Sequence, residues 1–126
     1  MKKLNNKGFS LVELIIVIAI MVILVVVIAP QYTKFVNNGK ISADIQTADE
    51  IAVAINVATA EGKSVSVTGT TVTNCSNLTT LPTSRFNSTS WDVKFDTTTG
   101  ELAKIELDSS EIWPDATAYK TAKGYK

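Results

Sequence analysis

Apolar positions follow three successive rhythms along this chain. Residues 9–29 are apolar almost without a break, interrupted by Ser10 and by one charge, Glu13. Twenty-one helical residues rise about 31 Å, enough to cross a hydrocarbon core of about 30 Å. The run therefore predicts a membrane-spanning helix, apolar on every side. Residues 31–60 change to a spacing of three to four: Tyr32, Phe35, Val36, Ile41, Ile45, Ala48, Ala52 and Ile55 recur, with Lys34, Lys40, Asp44, Asp49 and Glu50 falling mostly between them. This predicts the same helix continuing in amphipathic form to about Ala60, closed by Glu61 and by Gly62 as a left-handed cap. From residue 91 the period is two. Trp91, Val93 and Phe95 alternate with Asp92, Lys94 and Asp96, residues 97–100 turn the chain, and Ile105 and Leu107 alternate with Lys104 and Glu106.

A hairpin with one apolar face and an amphipathic helix each need a partner, so they are expected to pack together. The expected core is Trp91, Phe95, Ile105 and Leu107 against Ile45, Ala48, Ala52 and Ile55. The fold class is α+β: a long N-terminal helix on a small antiparallel sheet. A third strand is expected from residues 65–72 or from the chain end, where Ile112, Trp113, Pro114 and Tyr119 can pack over the sheet edge. The tail from Tyr119 reads as a frayed, solvated terminus.

Two positions weaken the long helix. Pro30 removes a backbone bond and clashes with the carbonyl four residues earlier, which predicts a kink, and Gly39 lowers helix propensity by about 1 kcal/mol. Between helix and hairpin the composition shifts: Thr, Ser and Asn supply 17 of the 27 residues in 64–90. Such side chains compete for backbone hydrogen bonds and favour turns and short exposed strands. Asn74, Asn77 and Asn87 each begin an N-x-S/T triplet, which chance explains in a segment of this composition.

The flanks of the apolar run orient it. Lys2, Lys3 and Lys7 precede it and no basic residue lies inside it, which favours a cytoplasmic N-terminus and places everything after Pro30 outside. A cleavable secretory signal would have a shorter apolar core, about 7–15 residues, and a small-residue cleavage site that residues 28–30 do not offer. The 126 residues suffice for one domain beyond the run. Formal charge is zero, with 12 basic and 12 acidic side chains, and removing residues 1–8 takes away three lysines to leave nine against twelve. A mildly acidic chain gives no support to specific nucleic-acid binding.

Glu13 needs a physical reason. A carboxylate at mid-membrane is unfavourable by about 2.5–3.5 kcal/mol, less near the interface, where four residues of helix put it about 6 Å from Phe9. As an acid in the first helical turn it gains some tenths of a kcal/mol from the helix dipole. A cut between Gly8 and Phe9 would also create an ammonium at Phe9. Two such charges about 4 Å apart attract by about 4 kcal/mol at an effective dielectric of 20, enough to offset their burial.

Gly8, then Phe9, Ser10, Leu11, Val12 and Glu13, an unbroken apolar helix and Pro30 together resemble the N-terminal signature of type IV prepilins. The resemblance is tight over residues 7–30 and loose beyond. It implies a leader, 1–8, cut after Gly8 by a membrane prepilin peptidase. It also implies N-methylation at Phe9, an assembly helix over 9–30 with Glu13 in subunit assembly, an amphipathic helix over 31–62 and a head over 63–126. It implies homopolymerisation into an extracellular type IV pilus serving adhesion, twitching motility or biofilm formation. The implied partners are the peptidase, an assembly platform with its ATPase motor, and the cytoplasmic membrane before assembly. By the same resemblance, the turns before Pro30 lose helical order in the filament.

The single cysteine, Cys75, excludes an intrachain disulfide and departs from the disulfide-closed loop of many Gram-negative pilins, leaning toward the Gram-positive, clostridial kind. Cys75 reads as a small buried or half-buried residue, since no histidine stands by to serve as base or co-ligand. No catalytic constellation or Gly-rich phosphate loop is visible, so no enzyme, cofactor or metal is expected. A type II secretion pseudopilin, a minor pilin for adhesion or DNA uptake, and an uncleaved single-span membrane protein are the competing readings.

Overall fold

The computed structural model describes Gly8, residues 10–86 and residues 89–125. The chain divides into two compact units, Met1–Val36 and Asn37–Lys126. Helix α1, Leu11–Ala60, begins in the first and ends in the second.

In the first unit every described residue through Phe35 is exposed. An 18-residue window of α1 reaches a mean hydropathy of 3.5 with none of it buried, so by length and composition the helix can cross a membrane. The helix runs without interruption through Pro30. Proline has no N–H to offer the Val26 carbonyl four residues earlier. The neighbouring Ala29 carbonyl accepts a bond from the Thr33 hydroxyl at 3.0 Å.

The second unit is built on the amphipathic half of α1. Its sheet is a three-stranded antiparallel meander of β3 (Trp91–Phe95), β4 (Leu102–Leu107) and β5 (Ser110–Trp113). A separate hairpin pairs β1 (Ser66–Thr68) with β2 (Thr71–Thr73). Ile41, Ala48, Ile51, Ala52, Ile55 and Ala58 of α1 form one core with Trp91, Leu102, Ile105, Leu107, Ile112 and Tyr119. The expected helix and sheet partnership is present, with two adjustments: Ile45 and Phe95 pack at the margin of the core, half-buried. A register shift between Lys94 and Phe95 is the reason at the sheet, because Phe95 pairs Leu102 where strict pairing would place Ala103. The bulge turns Leu102 inward.

Helix α1 ends as its sequence predicts. Gly62 takes φ +81°, its N–H donates to the Thr59 carbonyl at 2.9 Å, and Lys63 N–H reaches the Ala58 carbonyl at 3.1 Å. These are the two reverse bonds of a Schellman cap. Both candidate sources of a third strand form strands, but only Ser110–Trp113 joins the main sheet. It does so through a two-residue turn with Asp108 at φ +53° and Ser109 at φ +62°, a type I′ geometry that lacks the usual glycine.

The chain end is not frayed. Thr117–Lys123 forms α2, whose Tyr119 is fully buried. Cys75 is buried, its thiol directed to the Ala54 carbonyl at 3.5 Å. Asn74, at φ +63°, donates from Nδ2 to the Ser64 carbonyl at 2.8 Å. It is thereby committed to a turn, while Asn87 lies outside the described residues.

The largest departure from the sequence reading is Asp44, expected on the polar side of α1 and in fact fully buried. Its Oδ2 accepts hydrogen bonds from the Ser84 hydroxyl (2.7 Å), the Tyr119 hydroxyl (3.0 Å) and Phe86 N–H (3.2 Å), and Oδ1 accepts from Arg85 N–H (2.7 Å). A buried carboxylate is tolerable only with its oxygens satisfied in this way. The node joins α1, the 84–86 loop and α2. Burial, reinforced by the hydrogen bond and the charge of Asp44, raises the pKa of the Tyr119 phenol above its ordinary 10.0.

Asp44→Ala takes the shared acceptor from two buried hydroxyls and two half-buried amides and is expected to destabilise the second unit by about 3 kcal/mol. Urea denaturation of the full chain in detergent, followed by tryptophan fluorescence, measures this. For Tyr119, a pKa raised by folding means that its contribution is intact below pH 10 and shrinks as pH climbs beyond it. Tyr119→Phe should be about 1 kcal/mol less stable at neutral pH and should flatten the stability profile above pH 10.

Candidate functional site at the start of the long helix

The sequence places its chemistry at Gly8, Phe9, Glu13 and Pro30. Phe9 and leader residues 1–7 lie outside the described residues, while Gly8, the last leader residue, is exposed. A Cβ built on Gly8 meets nothing within 4 Å.

Glu13 sits in the first turn of α1, where it makes a reciprocal arrangement with Ser10. Ser10 N–H donates to Glu13 Oε2 at 2.9 Å, and Glu13 N–H donates to Ser10 Oγ at 3.2 Å. The Ser10 carbonyl accepts the first helical bond, from Leu14 N–H at 3.1 Å. Ser10 is therefore the N-cap, Glu13 the third helical residue, and the pair a capping box. This satisfies two amides that have no partner within the helix, a need sharpened wherever water is scarce. Sequence reasoning gave Ser10 no role, although S-x-x-E ahead of an apolar run is itself the capping-box signature.

The geometry leaves Glu13 partly committed. One oxygen serves the chain's own backbone, and among the described residues nothing donates to Oε1. Pro30, the other predicted position, lies well inside α1 and touches none of this.

Elsewhere the charges look structural. On the outer face of the sheet, Glu106 receives Lys104 at 2.9 Å and Lys94 at 3.2 Å. The two lysines, Lys104 foremost, lower its pKa, and Asp92 followed by Glu106 raises that of Lys94. All are solvated and mutually paired. Among the described residues no group of three or more His, Cys, Asp or Glu could hold a metal ion.

Residues 3–29 match the family model described as the prokaryotic N-terminal methylation motif. The matched stretch takes in Gly8, Phe9, Ser10 and Glu13, the acid at the head of the exposed apolar helix. The chain is similar to the type IV major fimbrial protein FimA of Dichelobacter nodosus. Two such sequences are each 36% identical over 63 residues, which is 50% of this chain and 40% of either relative. The chain thus matches about two fifths of the length of these curated relatives. No solved structure matches.

Ser10→Ala removes one half of the box and is expected to weaken the first turn by about 1 kcal/mol, a roughly fivefold rise in amide exchange at Glu13. Ser10→Thr should restore protection. Hydrogen exchange of the detergent-solubilised chain reads both.

Proposed function

We propose that this chain is the structural subunit of a type IV filament, made as a membrane-anchored precursor and activated by proteolysis. The anchor is residues 9–29, with the lysine-bearing end in the cytoplasm and the Asn37–Lys126 unit outside. A prepilin peptidase removes residues 1–8 between Gly8 and Phe9, and the new amine of Phe9 is methylated. The open space around Gly8 supports an external reader, because among the described residues nothing packed nearby requires glycine there.

Glu13 carries the proposal. Its Oε2 holds the helix start through Ser10, and Oε1 remains for a cation. Cleavage supplies that cation as the Phe9 ammonium of a neighbouring copy, and methylation leaves its charge in place. Moving the apolar helix from lipid into a bundle of copies exchanges one apolar environment for another, so transfer contributes little drive. A membrane platform and an ATP-driven motor supply the work, and the subunit itself binds no nucleotide. Pro30 is the place where the helix bends or loses order under tension. On the cell surface the filament serves adhesion, motility or biofilm formation.

Mass spectrometry of the mature protein should find a chain beginning at N-methylated Phe9, and immunogold labelling should place it on surface filaments. Retention of residues 1–8 in the surface protein would defeat the reading. Glu13→Ala should be cut normally yet yield at least about tenfold fewer sheared filaments.

A further inference from the structure

Most charges around the sheet are paired within the subunit: Lys63 with Glu61, Lys94 and Lys104 with Glu106, and Lys123 with Asp108. The charges of α1 behave differently. Among the described residues Lys34, Lys40, Asp49 and Glu50 are exposed and enter no ion pair. They are also sorted by sign, the lysines preceding Ile41 and the acids following Ala48.

Each sign borders bare apolar surface. Lys34 stands between Tyr32 and Phe35, which are 65% and 76% exposed, while Asp49 and Glu50 lead into Val53 and Val57, which are 61% and 44% exposed. Val53 lies two residues from both Ile51 and Ile55, about 200° of rotation away, and so on the side of α1 opposite the core. Val53, Val57, Asp49 and Glu50 line an open groove of about 460 Å³, walled on one side by Asn77. Two valines a turn apart in water, flanked by acids that enter no ion pair, Glu50 only accepting from the Gln46 amide at 3.3 Å, form an incomplete surface.

We infer that this groove is a docking site for a second copy of the chain, whose Tyr32 and Phe35 cover Val53 and Val57 and whose Lys34 meets Asp49 and Glu50. The complementary charge is carried by the chain itself. Side chains fifteen or sixteen residues apart on one helix do not meet within a copy, since only positions three or four apart are neighbours. An interface that joins two different patches is heterologous and, where its rotation does not close into a ring, repeats from copy to copy as a filament. The docking rests on the subunit reading above, and it names which faces of neighbouring copies recognise one another.

Charge reversal in full-length chains tests it. Lys34→Glu alone, and Asp49→Lys with Glu50→Lys, should each lower the yield of sheared filaments by about tenfold, since like charges brought together oppose association. The triple variant should recover to within about twofold of wild type. In a second measurement, Phe35→Cys and Val53→Cys chains expressed together should give a disulfide-linked dimer in filaments. Filaments indifferent to the reversals, no recovery in the triple variant, or a Val53→Cys cross-link to a different protein would each overturn the docking alone. A wild-type chain that makes no filaments would overturn the subunit reading and the docking with it.

Discussion

A helix that is apolar all round cannot rest in water, and this constraint governs the first unit. Sixteen large apolar side chains between Leu11 and Ile28 are exposed, each between 43% and 75%. At about 1.5–3 kcal/mol for each such side chain fully covered, the surface left open is worth tens of kcal/mol. Lipid can cover it, and so can other copies of the same helix. Those two coverings are close in free energy, which is why a switch between them has to be decided by something other than hydrophobicity. The first turn of α1 holds the one acid in the run, already anchored by Ser10 and with an oxygen to spare.

The capping box reconciles two views of Glu13 that look like rivals. As a first-turn acid it closes the helix start. As a carboxylate in an apolar setting it seeks a cation. A carboxylate has two oxygens and several lone pairs, so one role does not exhaust it. In the proposed filament the helix start stays capped while the neighbour's amine approaches, and assembly need not first unravel the turn that presents the acid.

The second unit solves a different problem, since it must hold its shape with a small core. Asp44 does much of this by tying α1 to the 84–86 loop and to α2 through four hydrogen bonds. The partners are 40–75 residues away in sequence. A single buried carboxylate thus specifies where the Ser- and Thr-rich segment lies and keeps the terminal helix seated.

The sequence by itself determined what depends on neighbours a few residues away. The helix run, its Gly62 cap, the β3–β4 hairpin, the acid Glu13 and the motif around it are all written in local periodicity and local chemistry. Tertiary structure decided what depends on partners far along the chain. Asp44 sits at a three-residue step from Ile41 and four from Ala48, a position on the buried stripe. Only the arrival of Ser84, Phe86 and Tyr119 makes a carboxylate acceptable there. The bulge that brings in Leu102, the Asp108–Ser109 turn that adds β5, and the order of the C-terminal helix have the same origin. Short segments of weak propensity take their conformation from the core they complete, and that core exists only once α1 and the sheet have met.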